Sequence, residues 1–154
     1  MNFQGVDIDD SRFIRTKTFG STWDAQGLGA LKIGAVWYRI KFSVSQPKAG
    51  ETTGLFLGGF DDEARVWLNG KWIGSSGVSF SSPAVFDLGK HVRFGKENVL
   101  AVMVVRNGGA NELGIGGILR SSFIFQGPPL PEQAPAGEKK KRILPGGAEQ
   151  VIAE

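Results

Sequence analysis

The segment 61–74, with the sequence DDEARVWLNGKWIG, limits what this chain can fold into more than any other. Val66 and Leu68 alternate with polar or aromatic neighbours, and a period of two is what a strand with one buried face requires. The pair Asn69-Gly70 follows at once. Both central residues of a type I′ turn need positive φ, which Asn tolerates and Gly adopts freely, so Asn-Gly between two apolar runs predicts a β-hairpin.

The wider composition agrees with a chain built from short strands. The 154 residues include 23 Gly, 11 Phe and 4 Trp, a balance that suits many strands joined by tight turns. This length makes one domain of ordinary size and is well below the roughly 250 residues of a (β/α)₈ barrel. The chain has no Cys, so neither a disulfide framework nor a thiolate metal site is available.

Further strands are predicted on both sides of the hairpin. Val36–Ser45 alternates apolar and polar residues, so one face alone is predicted to be core; that face carries Val36, Tyr38, Ile40, Phe42 and Val44. The run Val99–Val105 is continuously apolar, which predicts a central strand covered on both faces. The other predicted strands are Ser11–Phe19, Gly54–Phe60, Ala84–Leu88 and Ile118–Phe125.

About eight short strands and no convincing helix predict an all-β fold, a jelly-roll β-sandwich of antiparallel strands. We expect residues 1–10 to be a lead-in and residues 11–126 to form the sandwich domain. Residues 127–154 contain five of the seven Pro together with a Lys/Arg cluster. That composition predicts a flexible, solvated tail or linker.

The charge of the chain excludes some classes of partner. A net charge of +3 suits an ordinary solvated surface, whereas nucleic-acid binding requires a clustered basic face with stacking aromatic residues. The cluster Lys139–Arg142 is compatible with a nuclear signal or an anionic-surface patch, but its acidic neighbours favour a solvated linker. No segment has the pattern of a signal peptide or the roughly eighteen apolar residues of a membrane span. We therefore expect neither a nucleic-acid nor a membrane partner.

Five short motifs occur in order along the chain. They are VWYR at 36–39, VWLNGKWIG at 66–74, FDL at 86–88, GKENVLAV at 95–102 and GGILR at 116–120. In that order and spacing they resemble the galactose-binding-like jelly-roll domain, a sugar-binding domain of β-galactosidase-type glycoside hydrolases. The resemblance covers about residues 13–125.

This resemblance implies a non-catalytic accessory domain whose partners are a carbohydrate and a catalytic glycoside hydrolase domain. In some β-galactosidases the loop before the GGI motif places an acidic residue at the galactose pocket. The corresponding loop here begins at Asn107, so the resemblance assigns that role to Asn111 and Glu112. If the parent protein is a secreted hydrolase, an extracellular or periplasmic location is expected; the sequence alone leaves the location open.

The residues themselves also argue against an enzyme. Glycoside hydrolysis needs two carboxyl groups at a defined separation across the scissile bond, and the acidic residues here are scattered over turns or bunched at 61–63. His91 is the only histidine; it lies in a predicted surface loop, and the chain has no G-x-S-x-G context for a nucleophile. We therefore expect no catalytic residue in this chain.

Sugar recognition has a simpler requirement, which this chain meets. It needs an aromatic platform for the apolar C–H face of a pyranose and carboxylates or amides for the hydroxyl groups. The candidates, all predicted in loops or at strand ends, are Trp23, Asp24, Trp72, Asn107, Asn111 and Glu112. Packing at the rim of the sandwich is an equally good interpretation of Trp23 and Trp72, and sheet packing is the better one for Trp37 and Trp67.

The cluster of acidic residues at 61–63 suggests one metal site. Asp61 and Asp62 are weak candidates for a structural calcium ion, since carboxylate and backbone oxygens suit a hard cation. A charged edge that discourages strand addition is the better interpretation, and no other cofactor is expected.

Two functions remain open from the sequence. The first is a carbohydrate-binding module that targets or completes a hydrolase. The second is a structural module that packs against another domain and has no sugar ligand. An exposed Trp23 or Trp72 beside free carboxylates would favour the first, and a broad apolar patch with every Trp buried would favour the second.

Overall fold

A computed structural model gives the fold. It describes residues 3–16, 22–27, 34–77, 82–106 and 116–130, and the backbone of 141–143 and 149–151. The strands of the main domain are β1 Ala35–Ser43, β2 Thr52–Leu57, β3 Phe60–Asp61, β4 Glu63–Leu68, β5 Lys71–Ser75, β6 Ala84–Asp87, β7 Glu97–Val105, β8 Gly117–Ile118 and β9 Phe123–Gly127.

These strands form antiparallel sheets that enclose one apolar core. A four-stranded sheet has the order β1-β7-β4-β5, a three-stranded sheet has the order β6-β2-β9, and β3 pairs with β8. The core draws on both larger sheets; its largest fully buried side chains include Phe60, Leu57, Leu68, Leu88 and Leu100. The predicted all-β sandwich of antiparallel strands is confirmed.

The hairpin predicted at Asn69-Gly70 is present as β4 and β5. Asn69 has a φ of 52° and Gly70 a φ of 78°, as a type I′ turn requires. The pairing shifts register between Val66 and Trp67. This bulge inserts Ile73, which packs against the core, and it leaves Trp67 opposite Trp72 on the outer face.

The turn is fixed by two asparagine side chains. Asn69 donates from Nδ2 to the Oδ1 atom of Asn98 at 2.8 Å and accepts from the Val99 N–H at 3.0 Å. Asn98 is fully buried. Its amide also accepts from the Arg93 N–H and donates to the carbonyls of Arg93 and Lys96, at 2.8, 3.0 and 3.0 Å. The hairpin tip is thereby tied to the turn that begins β7.

Removing this buried amide is expected to destabilise the fold. Asn98→Ala should lower the free energy of unfolding by about 3 kcal/mol, because several buried polar groups lose partners at about 1 kcal/mol or more each. Asn98→Asp should cost a similar amount. It keeps the shape of the side chain, but a carboxylate oxygen replaces the Nδ2 donor that faces two carbonyl groups. Urea unfolding measures both, with the exposed Lys96→Ala as the control. A loss below about 0.5 kcal/mol, which is typical of surface changes, would contradict this role.

The central strand predicted from the continuous apolar run is also confirmed. β7 lies between β1 and β4. Leu100, Val102 and Val104 belong to the core cluster, while Val99 and Ala101 are buried on the opposite face. Both faces of β7 are therefore covered, as its composition predicted.

Two predictions near the N-terminal end are corrected. Residues 11–16, the described part of the strand predicted at Ser11–Phe19, form turns and irregular backbone instead. The Asp9 carboxylate accepts the Ser11 N–H at 3.0 Å, and the Phe13 N–H bonds to the Asp10 carbonyl. Such local bonds compete with a strand ladder.

The second correction concerns β1. Ile40, predicted to be core, is exposed, because β1 is an edge strand and Ile40 lies at the opening between the two larger sheets. The opposite face, predicted to be solvated, carries the buried Arg39 side chain. Residues 3–16 cover that face, as described below.

Within the segment predicted to be a linker, the backbone of Lys141–Ile143 (β10) pairs antiparallel with Glu149–Val151 (β11). The linker role of residues 127–154 stays a prediction. In the described part of the chain, no helix is both long and apolar enough to cross a bilayer.

Candidate functional site

An aromatic row crosses the outer face of the four-stranded sheet. Trp37 on β1 and Trp67 on β4 have ring centroids 4.9 Å apart, and Trp67 and Trp72 are also 4.9 Å apart, in an edge-to-face arrangement. The first pair meets above β7, where Trp67 is opposite the small side chain of Ala101. The row ends at Trp72, which is 50% exposed.

Residues 3–16, which we call the N-terminal segment, cover the opposite end of this row. The ring of Phe3 is 6.0 Å from that of Trp37, and Phe13 packs edge-on against Phe3 at 5.8 Å. This end of the row is therefore closed, and only the Trp72 end presents an open indole face.

Arg39 holds the N-terminal segment in place. Its Nη1 atom donates to the carbonyls of Phe3 and Gly5 at 2.7 and 2.8 Å, and its Nε atom donates to the Asp10 carboxylate at 3.3 Å. The Arg39 side chain is only 2% exposed. A buried guanidinium needs such partners, since its charge is otherwise costly to remove from water.

Asp10 is the counter-charge of this arrangement. Its carboxylate also lies 3.5 Å from the Lys41 ammonium. Desolvation raises the pKa of Asp10, but the hydrogen bond from Arg39 and the positive charges of Lys41 and Arg39 lower it by more, so the net pKa lies below the ordinary value of 3.8. The ionised form is the one that the folded state favours.

This shift predicts a specific pH dependence. Because the folded-state pKa of Asp10 is depressed, its stabilising effect is present above the ordinary pKa and is lost as the pH falls through the folded-state pKa. The difference in unfolding free energy between the native chain and Asp10→Asn should therefore be constant above about pH 5 and shrink below about pH 4. Urea unfolding between pH 2 and pH 6 measures it. Asp7→Asn, at an exposed side chain, is the control, and a difference that does not vary with pH would contradict the assignment.

Trp23 does not form an exposed platform. Its side chain is 2% exposed, and its Nε1 atom donates to the Tyr38 hydroxyl at 2.8 Å. Its indole lies so close to Gly116 that a methyl group there would overlap the ring. The Trp23 N–H also bonds to the Gly116 carbonyl at 2.8 Å. Of the two interpretations of Trp23, the structure favours packing, and the exposed-platform interpretation is corrected.

Tyr38 completes this contact from β1. Burial raises the pKa of its phenol, because the phenolate would lose its hydration, and the hydrogen bonds from Trp23 and the Ile118 backbone oppose that effect only in part. Trp23, Tyr38 and residues 116–118 thus fix the start of β8 against β1.

Trp23→Ala should therefore affect stability first. We expect a loss of about 3–5 kcal/mol, as for other buried aromatic residues. Trp23→Phe should cost less, because it keeps an aromatic ring while losing the N–H donor. Chemical unfolding compares both with Trp72→Ala, which removes a half-exposed ring. If Trp23→Ala unfolds within about 1 kcal/mol of the native chain, the core assignment fails.

The other predicted sugar contacts lie largely outside the described residues. Asp24 begins a 3₁₀ turn, Asp24–Gln26, and its side chain is not among the described parts. Asn107, Asn111 and Glu112 also lie outside the described residues. Their roles stay predictions.

The acidic residues at 61–63 do not form the charged sheet edge that the sequence predicted. Asp61 is buried, and β4, which carries Glu63, lies between β7 and β5, so the charged-edge interpretation does not apply. Glu63 forms a two-point pair with Arg65, at 2.8 and 3.1 Å. Among the residues that the structure describes, no three His, Cys, Asp or Glu side chains gather as metal ligands. His91 is exposed, as expected.

A second aromatic surface was not predicted. On the outer face of the three-stranded sheet, Phe56 stacks on Phe123 at 4.9 Å, and Phe123 meets Phe125 at 6.4 Å. Phe123 is 53% exposed. The alternation of Phe123 and Phe125 with Ile124 is visible in the sequence, but which face turns outward depends on the partner sheet.

A family model for the sugar-binding domain of glycosyl hydrolases family 2 matches residues 21–127. Curated relatives match a shorter region. A β-glucuronidase from Formosa agariphila is 35% identical over 71 residues, 46% of this chain and 7% of that protein. A β-galactosidase from Photobacterium profundum is 36% identical over 69 residues, 45% of this chain and 6% of that protein. The chain thus spans less than a tenth of either relative.

Solved structures agree on the fold. A glycosyl hydrolase family 2 member from Bacteroides cellulosilyticus has a TM-score of 0.63 and 27% identity, over 80% of this chain and 18% of that chain. A β-glucuronidase from Bacteroides uniformis has a TM-score of 0.65 at 22% identity, over 80% of this chain and 15% of that chain. The second likeness is one of fold alone.

Proposed function

The chain belongs to the sugar-binding domain family of glycosyl hydrolases family 2, and we propose that it is a non-catalytic accessory domain that binds galactoside-type sugars at Trp72. The observation that carries this proposal is the half-exposed indole at the open end of the aromatic row. Galactosides are the proposed ligands because a β-galactosidase is among the relatives.

The setting of Trp72 suits a sugar platform. Its ring is supported edge-on by Trp67, which is itself packed on Trp37, so the indole is held in one orientation before a ligand arrives. A preorganised aromatic surface loses little conformational entropy on binding. The Glu63–Arg65 pair lies on the same face of β4 as Trp67. These groups can exchange hydrogen bonds with sugar hydroxyls.

The proposal includes a partner domain. This chain spans a small share of its relatives, and we infer that it works beside a catalytic barrel whose substrate site its loops help to complete. The anchoring of Trp23 on Gly116 supports that inference, because it fixes the position that directly follows the predicted loop with Asn111 and Glu112. A loop with a rigid base can present side chains reproducibly to a neighbouring site.

Trp72→Ala should weaken galactoside binding at least about tenfold, equivalent to about 1.4 kcal/mol, while lowering the free energy of unfolding by at most about 1 kcal/mol. Calorimetric titration with galactose, lactose and a glycan panel measures the affinity. Trp72→Phe is the matched control and should retain most of it, because a smaller aromatic face remains. Sugar binding that survives Trp72→Ala unchanged would place the ligand elsewhere.

A second candidate function is a structural module that packs between domains and has no sugar ligand. The exposed Phe123, stacked on Phe56, favours it, since exposed aromatic clusters mark surfaces that other proteins cover. A flat response to every sugar, together with tight association to a separately produced barrel domain that Phe123→Ser abolishes, would establish this function in place of the first.

A further inference from the structure

One edge of β1 has no backbone partner among the residues that the structure describes. The Arg106 N–H bonds to the Gly34 carbonyl at 2.8 Å, so the even-numbered residues of β1 direct their backbone groups toward β7. Backbone groups alternate sides along a strand. Trp37, Arg39 and Lys41 therefore direct theirs away from the sheet, and among the described residues none of these groups has a backbone partner.

A trough runs along this edge. Its volume is about 560 Å³, with residues 37–41 on one wall and residues from the N-terminal segment, Asp10 to Thr16, on the other. The segment is attached to the outer face through Arg39 and Phe3, and it stands beside the edge of β1 without pairing to it. A strand added to a sheet edge lies about 4.8 Å from its neighbour, and the trough borders the edge of β1 at that position.

The side chains that line the trough carry a net positive charge. Its lining contains Arg15, Arg39 and Lys41 against the single carboxylate of Asp10, which Arg39 and Lys41 already engage. Arg15 and Lys41 are both exposed. Apolar surface adjoins them at Ile14, which is 72% exposed, and at Ile40.

We propose that this edge binds an extended segment of another polypeptide, in which acidic side chains alternate with apolar ones, by strand addition to β1. The acidic side chains would lie beside the exposed cations Lys41 and Arg15, and the apolar ones opposite Ile40 on the inner side. Backbone hydrogen bonds supply affinity in this mode, and alternate side chains supply specificity. A second copy of the chain is disfavoured, because antiparallel pairing of two β1 strands would bring like charges together.

Short capped peptides test the proposal. An eight-residue peptide of alternating Glu and Val should bind at least about tenfold more tightly than its Lys/Val counterpart. On binding, the amides of Trp37, Arg39 and Lys41 should become protected from hydrogen exchange. N-methylation of one alternate set of peptide amides should abolish binding, whereas N-methylation of the other set should be tolerated, since only one edge of the peptide faces β1.

Charge reversal in the full chain provides the matched comparison. Arg15→Glu should weaken binding of the acidic peptide at least about fivefold and improve binding of the basic one, whereas Lys96→Glu, the same charge change at an exposed turn, should do neither. Lys41→Glu gives a second variant on the opposite wall. Equal binding of both peptides, indifference to N-methylation, protection at β9 in place of β1, or no binding at millimolar peptide would each overturn the proposal.

Discussion

Burial of β7 on both faces is the constraint on which the rest of the structure depends. One face packs into the sandwich core through Leu100, Val102 and Val104. The other face carries Val99 and Ala101, which are also buried. Other side chains must cover that face of β7, because leaving its apolar surface in water would cost about 25 cal/mol of folding free energy per Å². The aromatic row and the N-terminal segment provide this cover.

That cover also creates the candidate site. Because Ala101 is small, the indoles of Trp37 and Trp67 meet above it, and the row then extends to Trp72 at the margin of the sheet. Arg39 fixes the N-terminal segment over the Trp37 end, so the exposed ring lies at the opposite end. Packing and recognition thus use the same side chains: the buried rings orient the one that a sugar can reach.

Polar contacts fix the loops that packing alone leaves free. Asn98 ties the hairpin tip to the turn before β7, and Trp23 ties Gly116 to β1 through Tyr38. The Trp23 contact is buried and the Asn98 contacts are partly buried, so each specifies one loop position and tolerates few substitutions. The edge of β1, by comparison, has no backbone partner among the described residues, and the N-terminal segment lines a trough beside it.

The sequence by itself determined the hairpin, the central strand and the layered fold. Asn69-Gly70 specified its turn because few residue pairs adopt positive φ twice, and the run Val99–Val105 specified a central strand because no other position removes both of its faces from water. It also placed Trp37 and Trp67 in sheet packing. Only the tertiary structure decided that Trp23 is buried, that Ile40 is exposed, and that Arg39 lies beneath the N-terminal segment. Those outcomes depend on contacts between residues far apart in the chain, and a periodic pattern records which residues share a face but not what covers that face.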